Sequence, residues 1–443
     1  MKARALLAAL GLALVASTVW LGLVLDRPDP FQRPAAIVVA VVVALSVYAA
    51  AAILVVRSRS PLGRWAFATV LVVALVARLA LAVHPPALSD DVYRYVWDGR
   101  VQAAGINPYR FPPQSPALVQ LRDARVYEAV NRKFAPTIYP PAAQAVFRVA
   151  YAAKPDSVRW TKLVFVGVDA IAIVLLGLLL RRHGRRPELA LLYAWHPLAL
   201  VEVGHSGHVD VVAVALLLGS LLLSVRGRPM AAGIALAGAA LVKFYALAAL
   251  PALVAGGRRR AAILVAAASA SAGLAYLPFL EVGTKVLGYL PGYFKEEGFD
   301  SGARFYPLLL LGLEGRAAAS TYQLLAFTAL AGLALLVWRG RGSEPQGTLL
   351  LLVALLLLAT PAYPWYALLP LALLPFAGPR LLLVGSALAA TSFLLYVHLK
   401  VPGNPVWPLH VVWGGTGSIA VLALLSRLGF SRRRSPLRVA HES

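Results

Sequence analysis

The chain has 443 residues, of which 60% are hydrophobic and only 14% charged. A soluble protein of that length has too little interior to hide so much apolar surface, so the chain is read as a membrane protein. Lys and Arg total 42 against 19 Asp and Glu, a net charge of +23; in a membrane protein such an excess belongs to cytoplasmic loops rather than to a nucleic-acid surface, and with no cysteine, disulfides, thiolate catalysis and thiolate metal sites are excluded.

A bilayer core is spanned by about 20 apolar residues in a helix. The first such run, 5–25, follows Lys2 and Arg4 and imitates a signal peptide. It is longer than a signal core and lacks a small-residue cleavage pattern, so it is read as a retained helix with its N-terminus inside. Further runs cover 35–56, 65–83, 160–180, 188–203, 209–225, 261–280, 321–338, 347–360, 365–376, 381–399 and 410–426. The expectation is an all-α polytopic bundle of about 12 spanning helices. It forms one integral membrane domain over 1–430, followed by a basic cytoplasmic tail at 431–443.

The run between Met230 and Gly257 is interrupted at Lys243-Phe244-Tyr245. It is one crossing or a re-entrant hairpin. Arg226 and Arg228 before it and Arg258–Arg260 after it favour the hairpin, because both groups then lie inside. Polar backbone at membrane depth must line a protein or water-filled cavity, so the tip carrying Lys243 is expected to face one. With this topology the inside segments carry 22 Lys/Arg in 56 residues and the outside segments 17 in 140. Two outside loops, 85–159 and 280–317, are long enough to do more than connect. There is no internal repeat, which weakens an inverted-repeat transporter.

The most informative stretch is Ser89-Asp90-Asp91-Val92-Tyr93-Arg94-Tyr95-Val96-Trp97-Asp98-Gly99, with its exit Gly105-Ile106-Asn107-Pro108-Tyr109. Ser89 suits an N-cap, the aspartates suit the positive end of a helix dipole, and Gly105 and Pro108 end the helix. Tyr93, Tyr95 and Trp97 suit a helix lying at the water–lipid boundary. A capped interfacial helix without chemistry accounts for this pattern. So does a catalytic base: two adjacent carboxylates repel, which favours proton uptake by one of them from an attacking hydroxyl. Asp98, two turns on, shares the face of Asp91, with Arg94 between them as a possible ion-pair rung.

This stretch resembles the first large extracytoplasmic loop of the GT-C superfamily of polytopic glycosyltransferases, and more narrowly the polyprenyl-phosphate-sugar-dependent mannosyltransferases of the glycosyltransferase 87 and PIG-M-like branches. The resemblance continues through Tyr139-Pro140-Pro141, Trp195-His196-Pro197, Gly204-His205-Ser206-Gly207-His208-Val209-Asp210, Lys243-Phe244-Tyr245 and Tyr363-Pro364-Trp365-Tyr366. It implies that an acidic residue of the loop activates the acceptor hydroxyl and that inversion at the sugar carbon expels the lipid phosphate. That role falls on Asp90 or Asp91, with Asp90 slightly ahead. One departure is that the family places this loop after the first helix, so residues 1–56 are read as an extra N-terminal helix pair.

Other polar residues at membrane depth are candidates by default. His205, His208 and Asp210 suit a divalent metal, a substrate contact, or simply a tight turn at Gly204 and Gly207. Glu202, one turn earlier, is a partner for a histidine. Lys243 suits a departing phosphate, or else an ion pair with Asp169 or Glu202. Arg304 suits bidentate phosphate binding, or else pairing with Asp300 or Glu297. Asp169 and Arg78 are read as a structural pair. Tyr363, Trp365 and Tyr366 are an interfacial belt or a sugar-stacking wall. His398, Lys400 and His410 suit lipid headgroups. No glycine-rich stretch has the context of a nucleotide loop.

The resulting expectation is a hexosyl- or mannosyltransferase of the bacterial inner membrane with its active site outside. It takes a polyprenyl-phosphate sugar donor and a lipid-linked or envelope glycan acceptor. Asp90 or Asp91 is the base, and Lys243 and Arg304 bind the donor phosphate. Arg94, Asp98, Tyr139, His205, His208, Asp210, Tyr363, Trp365 and Tyr366 bind substrate. No cofactor is expected, a divalent metal being possible but not favoured, and the partners are membrane lipids rather than nucleic acid. The alternatives are a transporter or glycolipid flippase, or an envelope scaffold.

Overall fold

The structure, a computed structural model, describes residues 2–27, 29–32, 34–58, 61–63, 65–340 and 342–432, with side chains as far as 426. Most of the basic tail read at 431–443 therefore lies outside the described residues. Among the described residues there is no strand. The helices are α1 (Lys2–Leu25), α2 (Pro34–Arg57), α3 (Ala66–Ala82), α4 (Asp91–Ala103), α5 (Pro141–Ala153), α6 (Val158–Arg182), α7 (Leu191–Ala194), α8 (Pro197–His205), α9 (Asp210–Val225), α10 (Pro229–Ala240), α11 (Phe244–Gly256), α12 (Arg258–Tyr276), α13 (Leu290–Glu296), α14 (Tyr306–Leu311), α15 (Arg316–Arg339), α16 (Glu344–Ala359), α17 (Pro364–Phe376), α18 (Pro379–Lys400) and α19 (Trp407–Ser426).

Helix ends follow sequence chemistry. Ser157 accepts a hydrogen bond from the Trp160 N–H at the start of α6, and Arg181 and Arg182 close the last turn against the negative end of its dipole. Pro34 and Pro229 occupy first-turn positions, where a missing N–H costs nothing.

Among the described residues, seven helical stretches are long and apolar enough to cross a membrane, or eight if α8 and α9, bent by 119° at their junction, form one span. Five shorter apolar helices (α3, α10, α11, α16 and α17) complete the set. The sequence runs near 229–257 and 347–376 are thus short helices: prolines at 361 and 364 separate α16 from α17, and a 3₁₀ start at Phe244 separates α10 from α11.

Basic residues collect at one end of the bundle and tie it together there. Arg4 Nε donates to Leu62 O at 2.6 Å, Arg186 to Val55 O at 2.6 Å and Arg185 to Pro375 O at 2.6 Å. Arg260 binds Ser224 O at 2.7 Å and Glu344 at 2.8 Å. These contacts fix the course of the hairpin. α9 ends and α12 begins beside Ser224, so α10 leaves the basic end and α11 returns to it. Ala252 of α11 lies against Gly347 near the start of α16, as an antiparallel return requires. Lys243 therefore sits at the tip of a helical hairpin.

Deep in the bundle, Arg78 Nε and Asp169 Oδ2 stand 2.7 Å apart, both without solvent exposure. Tyr193 donates to Asp169 at 2.5 Å, and Arg78 donates to the Ala194 carbonyl at 2.8 Å. The pair that the sequence suggested is present and walled in by protein, and neither residue lines either cavity described below.

Candidate active site

The loop end of the bundle holds a cavity of about 660 Å³. Its walls come from six places in the chain: the start of α4, the 131–140 turn, the hairpin tip, the 289–304 loop, the 355–366 corner and the end of α18. Of the residues singled out by sequence, Asp90, Asp91, Arg94, Tyr139, Lys243, Arg304, Tyr363, Trp365 and Tyr366 line it. Asp98, His205, His208 and Asp210 do not.

Asp90 and Asp91 occupy the start of α4, where Ser89 Oγ accepts the Asp91 N–H at 3.3 Å. Asn131 Nδ2 donates to Asp91 Oδ1 at 2.7 Å and to Asp90 Oδ1 at 2.9 Å. Tyr139 donates its hydroxyl to Asp91 Oδ2 at 3.2 Å. Burial pushes the Tyr139 phenol well above its ordinary range, so it stays a donor. Asp90 is exposed, whereas the Asp91 side chain is 15% exposed and faces inward. Asp91 is therefore the more buried of the two carboxylates and the one held from two sides, whereas the resemblance put Asp90 slightly ahead.

Two expectations for α4 are corrected. Tyr95 and Trp97 are not an interfacial belt; they are 0% and 1% exposed, and Tyr95 stacks on Phe147 of α5 at 4.6 Å. Alternating aromatic residues suit a folded loop core as well as a lipid boundary, and here the core wins. Asp98 likewise faces protein: Arg94 Nε at 2.9 Å, Thr137 Oγ1 at 2.5 Å and Gln144 Nε2 at 2.9 Å saturate it. It holds the 131–140 turn in place and does not line the cavity.

The α8–α9 turn packs directly behind the cavity wall. Residues Val201–His205 form a π-helical turn, an irregularity common at functional sites. Gly207 has φ +69°, and a Cβ there would stand 2.7 Å from the Lys162 side chain; at Gly204 it would stand 2.8 Å from the Arg78 carbonyl. The turn brings Asp210 to Lys243, with Nζ 3.1 Å from Oδ2, and Tyr245 donates to Asp210 at 3.3 Å. Lys243 thus pairs with Asp210, not with Asp169 or Glu202. His208 Nε2 is 3.2 Å from Glu202 Oε2, and its Nδ1 is 3.9 Å from Asp91 Oδ2. His205 is buried away from them, with Lys162 and His84 as its neighbours. The sequence-suggested metal set therefore does not converge. Among the described residues no three His, Asp or Glu side chains stand close enough to hold a metal ion.

The opposite wall is aromatic and charged. Trp365 stacks on His208 at 4.0 Å and on Tyr363 at 4.7 Å. Arg304 pairs with Glu297 and donates to Ala359 O at 3.2 Å, so its charge is already matched. Arg132 bridges Glu296 at 2.7 Å and Tyr363. Sequence reasoning missed Asn131, Arg132, Tyr293 and Tyr396 in this wall. The polar run Asn131-Arg132-Lys133 in an otherwise apolar chain was the available signal.

A second hollow of about 480 Å³ adjoins the first. Phe244, Tyr276, Val286, Leu287, Leu290 and Phe294 line it, and Phe244, Leu290 and Phe294 belong to both.

The family model for the N-terminal domain of alpha-(1->6)-mannopyranosyltransferases matches residues 4–256, more than half of the chain. The chain belongs to that mannosyltransferase family. The match runs from α1 to the end of the α10–α11 hairpin, so the first two helices lie within it, as do Asp90, Asp91, Tyr139, His208, Asp210 and Lys243. The wall formed by Arg304, Tyr363–Tyr366 and Tyr396 comes from the rest of this membrane mannosyltransferase. A comparison with curated proteins finds no match.

Proposed function

We propose that the protein transfers mannose from a polyprenyl-phosphate donor to a hydroxyl of a lipid-linked or envelope glycan, with Asp91 as general base and inversion at the anomeric carbon. The observation that carries this reading is the placement of Asp91. Its carboxylate is the deepest acidic group lining the cavity, oriented by Asn131 and Tyr139 and sharing that cavity with Lys243. A base with fixed orientation and reach to the attacking hydroxyl is what the reaction requires. The acceptor oxygen bonds to the anomeric carbon as its proton passes to Asp91, and the bond to the phosphate oxygen breaks with the electron pair leaving on phosphate.

The name of the matched family supports an alpha-(1->6) product. Inversion to an α product requires a β-linked donor. Lys243 stabilises the departing phosphate, and the apolar hollow bounded by Phe244, Leu290 and Phe294 receives the prenyl chain next to it. Lys400 also lines the cavity and, unlike Arg94, Arg132, Lys243 and Arg304, has no carboxylate partner among the described residues. It supplies a second contact to the phosphate. The wall from Tyr363 to Tyr366 stacks on the sugar.

The cavity end faces outward in a bacterial inner membrane, because the opposite end carries the arginine clusters. The reading requires no metal. Purified protein in lipid discs, given labelled polyprenyl-phosphate mannose and a mannosylated lipid acceptor, is expected to form a new 1,6-linked product at a rate unchanged by a chelator. Movement of glycolipid across vesicles without any covalent product overturns the reading in favour of a flippase.

A further inference from the structure

The cavity has one buried imidazole behind its base. His208 is 0% exposed and stacked on Trp365, which fixes its ring plane. Its Nδ1 points toward Asp91 Oδ2, 3.9 Å away, and its Nε2 toward Glu202 Oε2, 3.2 Å away. Glu202 is also fully buried, and Tyr396 donates to the same Oε2 at 2.9 Å. The backbone ties the two together, with the His208 N–H on Glu202 O at 2.8 Å. Neither ring nitrogen makes an aligned hydrogen bond, so nothing fixes the proton count of the ring.

These distances have a simple reading in protons. A carboxylate beside Nε2 favours the tautomer protonated there, which leaves the Nδ1 lone pair facing Asp91. A lone pair and an ionised carboxylate are both acceptors and do not bond, hence the 3.9 Å gap. Once Asp91 gains a proton it becomes a donor, and the gap can close to a hydrogen bond. Catalytic contacts of this kind commonly tighten only with substrate in place.

We infer that Asp91, His208 and Glu202 form a proton relay in which His208 takes over the proton that Asp91 removes from the acceptor and Glu202 holds the resulting imidazolium. The inference rests on Asp91 being the base. The acceptor proton moves to Asp91 Oδ2 during transfer and then to His208 Nδ1. Asp91 is again a carboxylate, and the imidazolium charge is balanced by Glu202. When the products leave and water enters the cavity, the proton returns by the same path. The relay removes the proton at a moment when donor and acceptor exclude water from Asp91. The other charged groups around His208 are Lys243 at the hairpin tip and Asp210 on α9, and these two neutralise each other. Glu202 is a positioning residue in this scheme, since it acts only through His208.

The test is a comparison of Glu202→Gln and Glu202→Asp in the full-length protein, with kcat and KM measured for labelled polyprenyl-phosphate mannose and acceptor. The relay predicts a kcat roughly 10- to 100-fold below wild type for Gln, with both KM values within about twofold, and Asp recovering most of the loss. A merely structural role predicts the opposite order, because Gln keeps the size of Glu and Asp does not. Gln at wild-type kcat, or Gln faster than Asp, overturns the relay. If neither variant folds, His208→Gln decides: a loss confined to kcat supports the relay and full activity overturns it. Asp91→Asn separates the two levels. Full activity there removes the base assignment itself, whereas inactive Asp91→Asn beside fully active Glu202→Gln removes the relay alone.

Discussion

Asn131 gives one amide nitrogen to two carboxylates, 2.7 Å from Asp91 and 2.9 Å from Asp90. Adjacent aspartates repel, and a shared donor is what lets both stand at the head of α4. Asp91→Asn is expected to reduce mannosyl transfer by at least about 100-fold, the scale of a lost general base. Asp90→Asn, on the exposed side, is expected to cost less than tenfold. Asn131→Ala should fall between them, roughly tenfold, because the base remains but its direction is lost. Initial rates at saturating donor rank the three, and Asp90→Asn as the most damaged variant would reverse the assignment.

The Arg78–Asp169 pair predicts a stability effect without a catalytic one. Removing one partner leaves a buried charge uncompensated, a loss of about 3–5 kcal/mol. Arg78→Met is expected to unfold at clearly lower temperature in detergent, while Arg78→Met with Asp169→Leu recovers most of the loss. The rate per folded molecule should stay near wild type in the double variant.

Lys243 and Asp210 separate charge balance from chemistry. Lys243→Met strands a fully buried carboxylate, and adding Asp210→Asn relieves it. The double variant should regain thermal stability but not activity, since the phosphate still lacks its cation. Lys400→Ala is expected to raise the donor KM several-fold with kcat little changed. Rescue of transfer by Asp210→Asn would show that Lys243 serves only its partner.

In the long loop of residues 85–159, Arg100 Nη2 sits 2.9 Å from Asp123 Oδ2, and this bond holds the Asp123 carboxyl well below the usual carboxylate range. A carboxyl whose folded value lies below its unfolded value of about 3.9 contributes stability above that pH and loses it as pH falls through the folded value. Asp123→Asn should therefore lower the melting temperature at pH 7, and the difference from wild type should shrink once the pH drops below about 4. A difference that stays constant from pH 7 to pH 3 would show that the ion pair contributes nothing.

The sequence was most legible where the membrane makes polarity expensive. Arg78 with Asp169, Lys243 at a break flanked by arginines, and the Gly204–Gly207 turn stood out because a bilayer tolerates such residues only with a reason. It was least legible in the folded loop, where water is available and polarity carries little information. Tyr95 and Trp97 have one pattern whether they face lipid headgroups or Phe147. Asp98 looked like a ligand because two of its partners, Thr137 and Gln144, declare themselves only in three dimensions, whereas for Arg304 the sequence had already offered the partner it takes, Glu297. The contacts between Tyr396 and Glu202, 194 positions apart, and between Asn131 and Asp91, 40 apart, leave no trace in local spacing.

The hairpin of α10 and α11 leaves the basic end and comes back to it. A segment that returns to its own side is silent for orientation. If it were removed, α12 and every helix after it would keep the same direction in the bilayer, with Arg304 and the Tyr363–Tyr366 wall still at the cavity end. Its contribution is local: it delivers one lysine to the cavity wall. The length of that excursion can therefore change without inverting anything downstream, provided the tip still reaches Asp210.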